Sequence, residues 1–106
     1  MEKFILDVQL LNDEGLSAPV ALPAVDVTDN GFVARWEKDF SGSFLFVLAE
    51  DVNFSRSVDS YDAVMLEDTS LVVSGLSSGT SYYYKVFAIF GNLVSDESNI
   101  IEVTTL

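Results

Sequence analysis

The chain contains no cysteine and no histidine. Without cysteine, disulfides and thiolate metal sites are out. Without histidine there is no Ser-His-Asp triad, no Cys-His pair and no ordinary zinc or haem ligation. Cations are nearly as scarce: five lysines and arginines stand against seventeen aspartates and glutamates, a net charge of −12 over 106 residues. That balance repels phosphate backbones and anionic membranes, so nucleic acid is not expected as a partner. No stretch approaches the ~20 consecutive apolar residues of a membrane span, so no membrane insertion is expected. The residues at the start are not expected to act as a signal peptide, so either the protein is cytosolic or the chain is a piece whose targeting sequence lies elsewhere. Asp7 and Gln9 interrupt the apolar residues 4–11, and no small-residue cleavage site follows.

What is present is enough for one domain. With 49% hydrophobic residues, a chain of this size buries roughly 60–70% of its unfolded surface without needing staples. The apolar pattern has period two. Phe32, Ala34 and Trp36 alternate with Val33, Arg35 and Glu37, and Tyr82, Tyr84, Val86 and Ala88 alternate with Tyr83, Lys85, Phe87 and Ile89. β-Branched and aromatic residues fill these runs, as strands prefer. Asp29-Asn30-Gly31, Ser77-Ser78-Gly79 and Gly91-Asn92 punctuate them with residues that suit turns. The spacing predicts strands over 19–28, 31–38, 43–50, 60–66, 69–75, 81–90 and 98–105, an all-β, two-sheet antiparallel sandwich of about seven strands. Both prolines, Pro19 and Pro23, fall in the first of these. Proline cannot donate to a ladder, so that strand belongs at an edge. Residues 1–16 read as an N-terminal extension, either an extra strand or the remnant of a preceding domain, and residues 17–106 as the domain itself.

The segment Leu76-Ser77-Ser78-Gly79-Thr80-Ser81-Tyr82-Tyr83-Tyr84-Lys85-Val86-Phe87-Ala88, with Trp36 upstream and Ile101-Glu102-Val103-Thr104-Thr105 at the end, resembles the fibronectin type III pattern. Ser78 departs from it, standing where many members carry proline. The resemblance implies an immunoglobulin-like sandwich with Trp36, Leu76, Tyr82, Tyr84 and Val86 in its core, Tyr82 forming a tyrosine corner. It is similar to bacterial members found in large surface or secreted proteins, which implies an extracellular or cell-surface parent. No Arg-Gly-Asp occurs, so integrin binding is not implied.

Candidate sites are few. The acidic pairs Asp13-Glu14, Glu50-Asp51, Glu67-Asp68 and Asp96-Glu97 lack the spacing of a calcium loop and read as solubilising surface. A small sandwich offers no cleft for the two carboxylates of a glycosidase, so no catalytic residue, metal or cofactor is expected. Asn53-Phe54-Ser55 matches a glycosylation acceptor, a pattern too short to carry weight, and Phe54 is expected to anchor the connection to the fourth strand. Alternation makes a sharper suggestion. With Phe44, Phe46 and Leu48 inward, Leu45, Val47 and Ala49 point outward, beside Tyr83, Phe87 and Ile89 and with Ile100 on the adjoining last strand. Leu45, Val47, Tyr83, Phe87, Ile89 and Ile100 are thus a candidate interaction face for a protein partner or neighbouring domain. The reading is a non-catalytic module that spaces or binds. The rivals are a glycan-contacting accessory module of a polysaccharide-degrading enzyme or uptake system, and self-association through residues 4–11.

Overall fold

The computed structural model describes residues 16–37 and 42–106. The alternating segments form antiparallel strands in two sheets. The smaller sheet contains β1 (Ala21–Val25), β2 (Phe32–Trp36) and β5 (Ser70–Val73), with β2 in the middle. The larger contains β4 (Val64–Leu66), β3 (Ser43–Ala49), β6 (Ser81–Phe90) and β7 (Leu93–Val94) in that order, and β8 (Ile101–Thr104) also pairs with β6. A 3-10 turn, Asp59–Tyr61, precedes β4. No helix among the described residues is long and apolar enough to cross a membrane. Residues 1–15, on which the N-terminal expectations rest, and residues 38–41 lie outside the described residues.

Three of the expected strands shrink for identifiable reasons. β1 stops at Val25 because its register shifts between Leu22 and Val25, around Pro23, and Asp26 then takes a left-handed backbone, φ 53°. The expected strand over 60–66 is reduced to Val64–Leu66, since the 3-10 turn occupies its start. The expected strand over 98–105 begins only at Ile101, and a two-residue strand, β7, forms ahead of it. Between β7 and β8 two buried serines replace the ladder. The Ser95 amide donates to the Ala88 carbonyl at 2.9 Å, while Ser95 Oγ accepts from the Ala88 amide at 2.8 Å. Ser98 does the same against Val86, both bonds at 2.9 Å. Each hydroxyl stands where a strand carbonyl would, so β6 keeps its bonds although its neighbour is irregular.

The core is the inner face of both sheets. Phe32, Ala34, Trp36 and Val73 from the smaller sheet meet Phe44, Phe46, Leu48, Tyr82, Tyr84 and Val86 from the larger, all nearly inaccessible to water. The Trp36 ring lies 5.8 Å from both Phe44 and Phe46, and Phe46 and Phe32 lie 5.5 and 5.8 Å from Tyr84. Such ring pairs add about 0.5–1.5 kcal/mol each beyond the area they bury. Trp36 Nε1 is buried with no hydrogen-bond partner among the described residues, which hold this indole by packing.

Polar ties join the layers. The Tyr84 hydroxyl donates to the Leu22 carbonyl across the sandwich, at the point where β1 loses register. Burial raises the pKa of this phenol above the usual tyrosine range, so it remains a donor throughout the neutral range. The Asn99 side chain clamps Ala21 at both ends of its peptide, accepting from its amide at 2.9 Å and donating to its carbonyl at 3.0 Å. At the corner before β6, the Ser77 amide donates to the Tyr82 hydroxyl at 2.9 Å. Thr105 Oγ1 donates to the Ser77 carbonyl at 2.6 Å and accepts from the Thr80 amide at 2.9 Å. Leu76 is packed beneath this corner at the core's rim.

Candidate interaction surface

The register of the larger sheet sets which outward side chains are neighbours. Leu45 pairs with Met65 on one side and Phe87 on the other, so one apolar row crosses β4, β3 and β6. Val47 pairs with Lys85, and Ile89 pairs with Ser43 and with Val94. Tyr83 pairs with Ala49 and Glu102. Leu45, Val47, Tyr83, Phe87 and Ile89 are half-buried, while Met65 and Val94 are open to solvent. Alternation alone did not include Met65 and Val94, because runs of three and two residues carry no readable period.

Two residues sit differently from expectation. Ala49 was expected to face outward but is completely buried. The segment after β3 folds back over it, with Ala49 bridging Ser57 and the Glu50 amide bonding the Arg56 carbonyl at 2.9 Å. Ile100 was expected on the last strand, yet it precedes β8 by one residue and is exposed. The serine-bonded stretch delays the start of that strand.

The centre of the face is a screened cation. Lys85 Nζ lies 2.6 Å from Glu97 Oε1, 4.2 Å from the Phe54 ring centroid and 5.7 Å from that of Phe87. Phe54 therefore lies over β6, and does not serve only as the expected anchor toward the fourth strand. It reaches that place with a left-handed backbone, φ 56°, which is strained for an aromatic residue. Asp51 holds the loop in that shape. Its carboxylate accepts from Ser55 Oγ at 2.6 Å, the Ser55 amide at 3.2 Å and the Arg56 amide at 2.9 Å. The Ser55 hydroxyl bond lowers its pKa below the ordinary aspartate range; desolvation opposes it, and the two amide bonds and the Arg56 charge add to the lowering. Asp51 is thus spent on its own loop. Among the described residues no group of three or more acidic side chains is arranged to hold a metal ion.

No protein-family model matches the sequence, and no curated protein matches it either. Solved structures do. A fibronectin type III domain derived from the human KIAA0970 protein superposes with a TM-score of 0.71 at 18% identity, over 86% of this chain and 74% of that one. The fibronectin type III domain of human fibronectin type III domain containing protein 3 gives 0.70 at 20% identity, over 91% of both chains. This chain has the fibronectin type III fold. A β-1,2-glucanase from Parabacteroides distasonis contains a similar segment, with TM-score 0.67 and 21% identity, over 87% of this chain but 13% of the enzyme. Identities this low establish the fold, and the fibronectin type III fold serves many functions.

Proposed function

We propose that this fibronectin type III sandwich is a non-catalytic module of a larger bacterial surface or secreted protein, acting as a spacer that docks a protein partner or neighbouring domain. The observation that carries the reading is the continuous apolar row Met65–Leu45–Phe87, extended through Ile89 and Val94. Contiguous apolar surface of this kind marks interaction sites more often than scattered single residues do. The likeness to a small part of a much longer glucanase supports a modular setting.

The test is an NMR titration of the full chain with each domain adjoining it in its parent polypeptide. Shifts at Leu45, Val47, Phe87 and Ile89 are expected, and Phe87→Glu should weaken the contact about tenfold, or about 1.4 kcal/mol. No shift at these positions with any adjoining domain overturns the docking assignment. Shifts caused instead by oligosaccharides, and lost in Tyr83→Ala, transfer the face to glycan contact.

A further inference from the structure

The smaller sheet carries an outward apolar row of its own. Val25 pairs with Val33, and Val33 with Val72, so three valines align across β1, β2 and β5 on the face away from the core. Val72 is 70% exposed. Next to the row an open recess of about 250 Å³ is lined by Asp26, Asn30, Val33, Val72 and Ser74 among others. Asp26 stands at its rim in the left-handed conformation that ends β1.

β5 is also an edge strand. The Trp36 amide donates to the Thr69 carbonyl at 3.0 Å. By the alternation of an antiparallel ladder, Thr69, Leu71 and Val73 therefore bond β2, while Ser70, Val72 and Ser74 turn their amides and carbonyls off the sheet. The Ser74 amide is taken by the Tyr61 hydroxyl at 3.1 Å. The Ser70 and Val72 amides point outward with no partner among the described residues. Other edges are guarded in the usual ways. β1 has Pro23 and a register shift, β8 carries Glu102, and β4 and β7 have three and two residues. The four residues of β5, Ser-Leu-Val-Val, contain no charge, proline or bulge.

Charge selects the occupant. Asp26 rims the recess, Glu67 and Asp68 lead into β5, and the chain carries −12 overall. Arg35 lies on the same face, but its guanidinium is engaged by the Pro23 carbonyl at 3.1 and 3.2 Å. A second copy brings the same acids to the same edge and is repelled, whereas a basic strand is attracted. We propose that β5 accepts an added strand from a partner protein. The strand is an extended segment in which lysine or arginine alternates with apolar residues, one apolar side chain filling the recess beside Asp26. Backbone bonds to Ser70 and Val72 would supply the pairing and the recess the selectivity.

The test titrates the full chain with a capped seven-residue peptide alternating lysine and valine, and with its glutamate-valine counterpart, followed by NMR. The basic peptide should shift Val33, Ser70, Val72 and Ser74, and the acidic one should not. Affinity should fall at least tenfold in Val72→Lys and severalfold in Asp26→Asn, weaken with added salt, and stay unchanged in Met65→Lys on the β4 edge. All three variants alter exposed groups, and their melting curves verify folding. Equal binding or no binding of the two peptides overturns the proposal, as do shifts confined to the Leu45–Phe87 face. So does self-association abolished by Val72→Lys, which assigns the edge to a second copy. A Val8→Asp substitution that moves the Val72 resonance without peptide assigns it to the chain's own residues 1–15 and overturns the proposal too.

Discussion

Removing one oxygen from Tyr82 tests the corner that pins β6 to the turn before it. In Tyr82→Phe the ring still fills its place in the core, but the Ser77 amide loses the acceptor it holds at 2.9 Å. A buried donor left unsatisfied costs about 1–3 kcal/mol. Ser77 is itself exposed, so water partly replaces the hydroxyl and the expected loss is about 1–2 kcal/mol. For a domain of this size each kcal/mol moves Tm by about 4–8 °C, giving a fall of roughly 5–15 °C. The matched control is Tyr83→Phe. That hydroxyl faces outward and reaches Glu102 Oε2 only at 3.5 Å, so its removal should stay within about 0.5 kcal/mol. Urea denaturation with both variants reads the difference as a change in midpoint at constant slope. Thr105→Val adds a second handle, because Thr105 Oγ1 donates to the carbonyl of the same Ser77. Tyr82→Phe and Thr105→Val should therefore couple by about 0.5 kcal/mol or more. Equal destabilisation by Tyr82→Phe and Tyr83→Phe, or strict additivity with Thr105→Val, would refute the corner as a polar tie.

Two further outcomes follow from particular atoms. A Cβ added at Gly31 would lie 2.0 Å from the Val73 carbonyl oxygen, a backbone atom that cannot swing away. Gly31→Ala should therefore cost about 1–3 kcal/mol by overpacking, measured by the same urea midpoint. Asp51 gives a pH dependence. Its folded pKa is depressed, so the order it imposes on the loop is fully present above the ordinary aspartate range and is lost as pH falls through the depressed value. Phe54 resonances should hold steady from neutrality down to about pH 4 and move below it. Asp51→Asn should abolish that transition, and a Phe54 signal that titrates near neutrality would contradict the assignment.

Sequence alternation revealed the layers because each long strand has one wet and one dry face. The 81–90 run reads as β6 without adjustment, and Trp36, Tyr82, Tyr84 and Val86 lie where alternation puts them inward. The pattern failed where side chains replace backbone or loops replace solvent. Ser95 and Ser98 look like loop residues, yet they carry the bonding beside β6, since a hydroxyl standing in for a carbonyl leaves no apolar period. Ala49 looked solvent-facing because alternation knows nothing of the segment that returns across it. Likewise the meeting of Phe54 with Lys85 depends on a left-handed backbone at an aromatic residue, which propensity argues against. For the outward face, the Leu45–Phe87 neighbourhood was readable once two strands were placed side by side. Its extension to Met65 and Val94 required the actual register.

The Asn99 clamp on Ala21 and the phenol of Tyr84 on Leu22 have a mechanical consequence. In the spacer role proposed above, the module is loaded along its length, and traction from its N-terminal side reaches β1. Here that strand is sewn to the opposite layer at two adjacent residues, so traction must rupture those stitches together with the ladder to β2, all at once. Bonds that share a load break later than bonds opened one by one. In that role, resistance to stretching draws on one carboxamide and one phenol as well as on the five residues of β1.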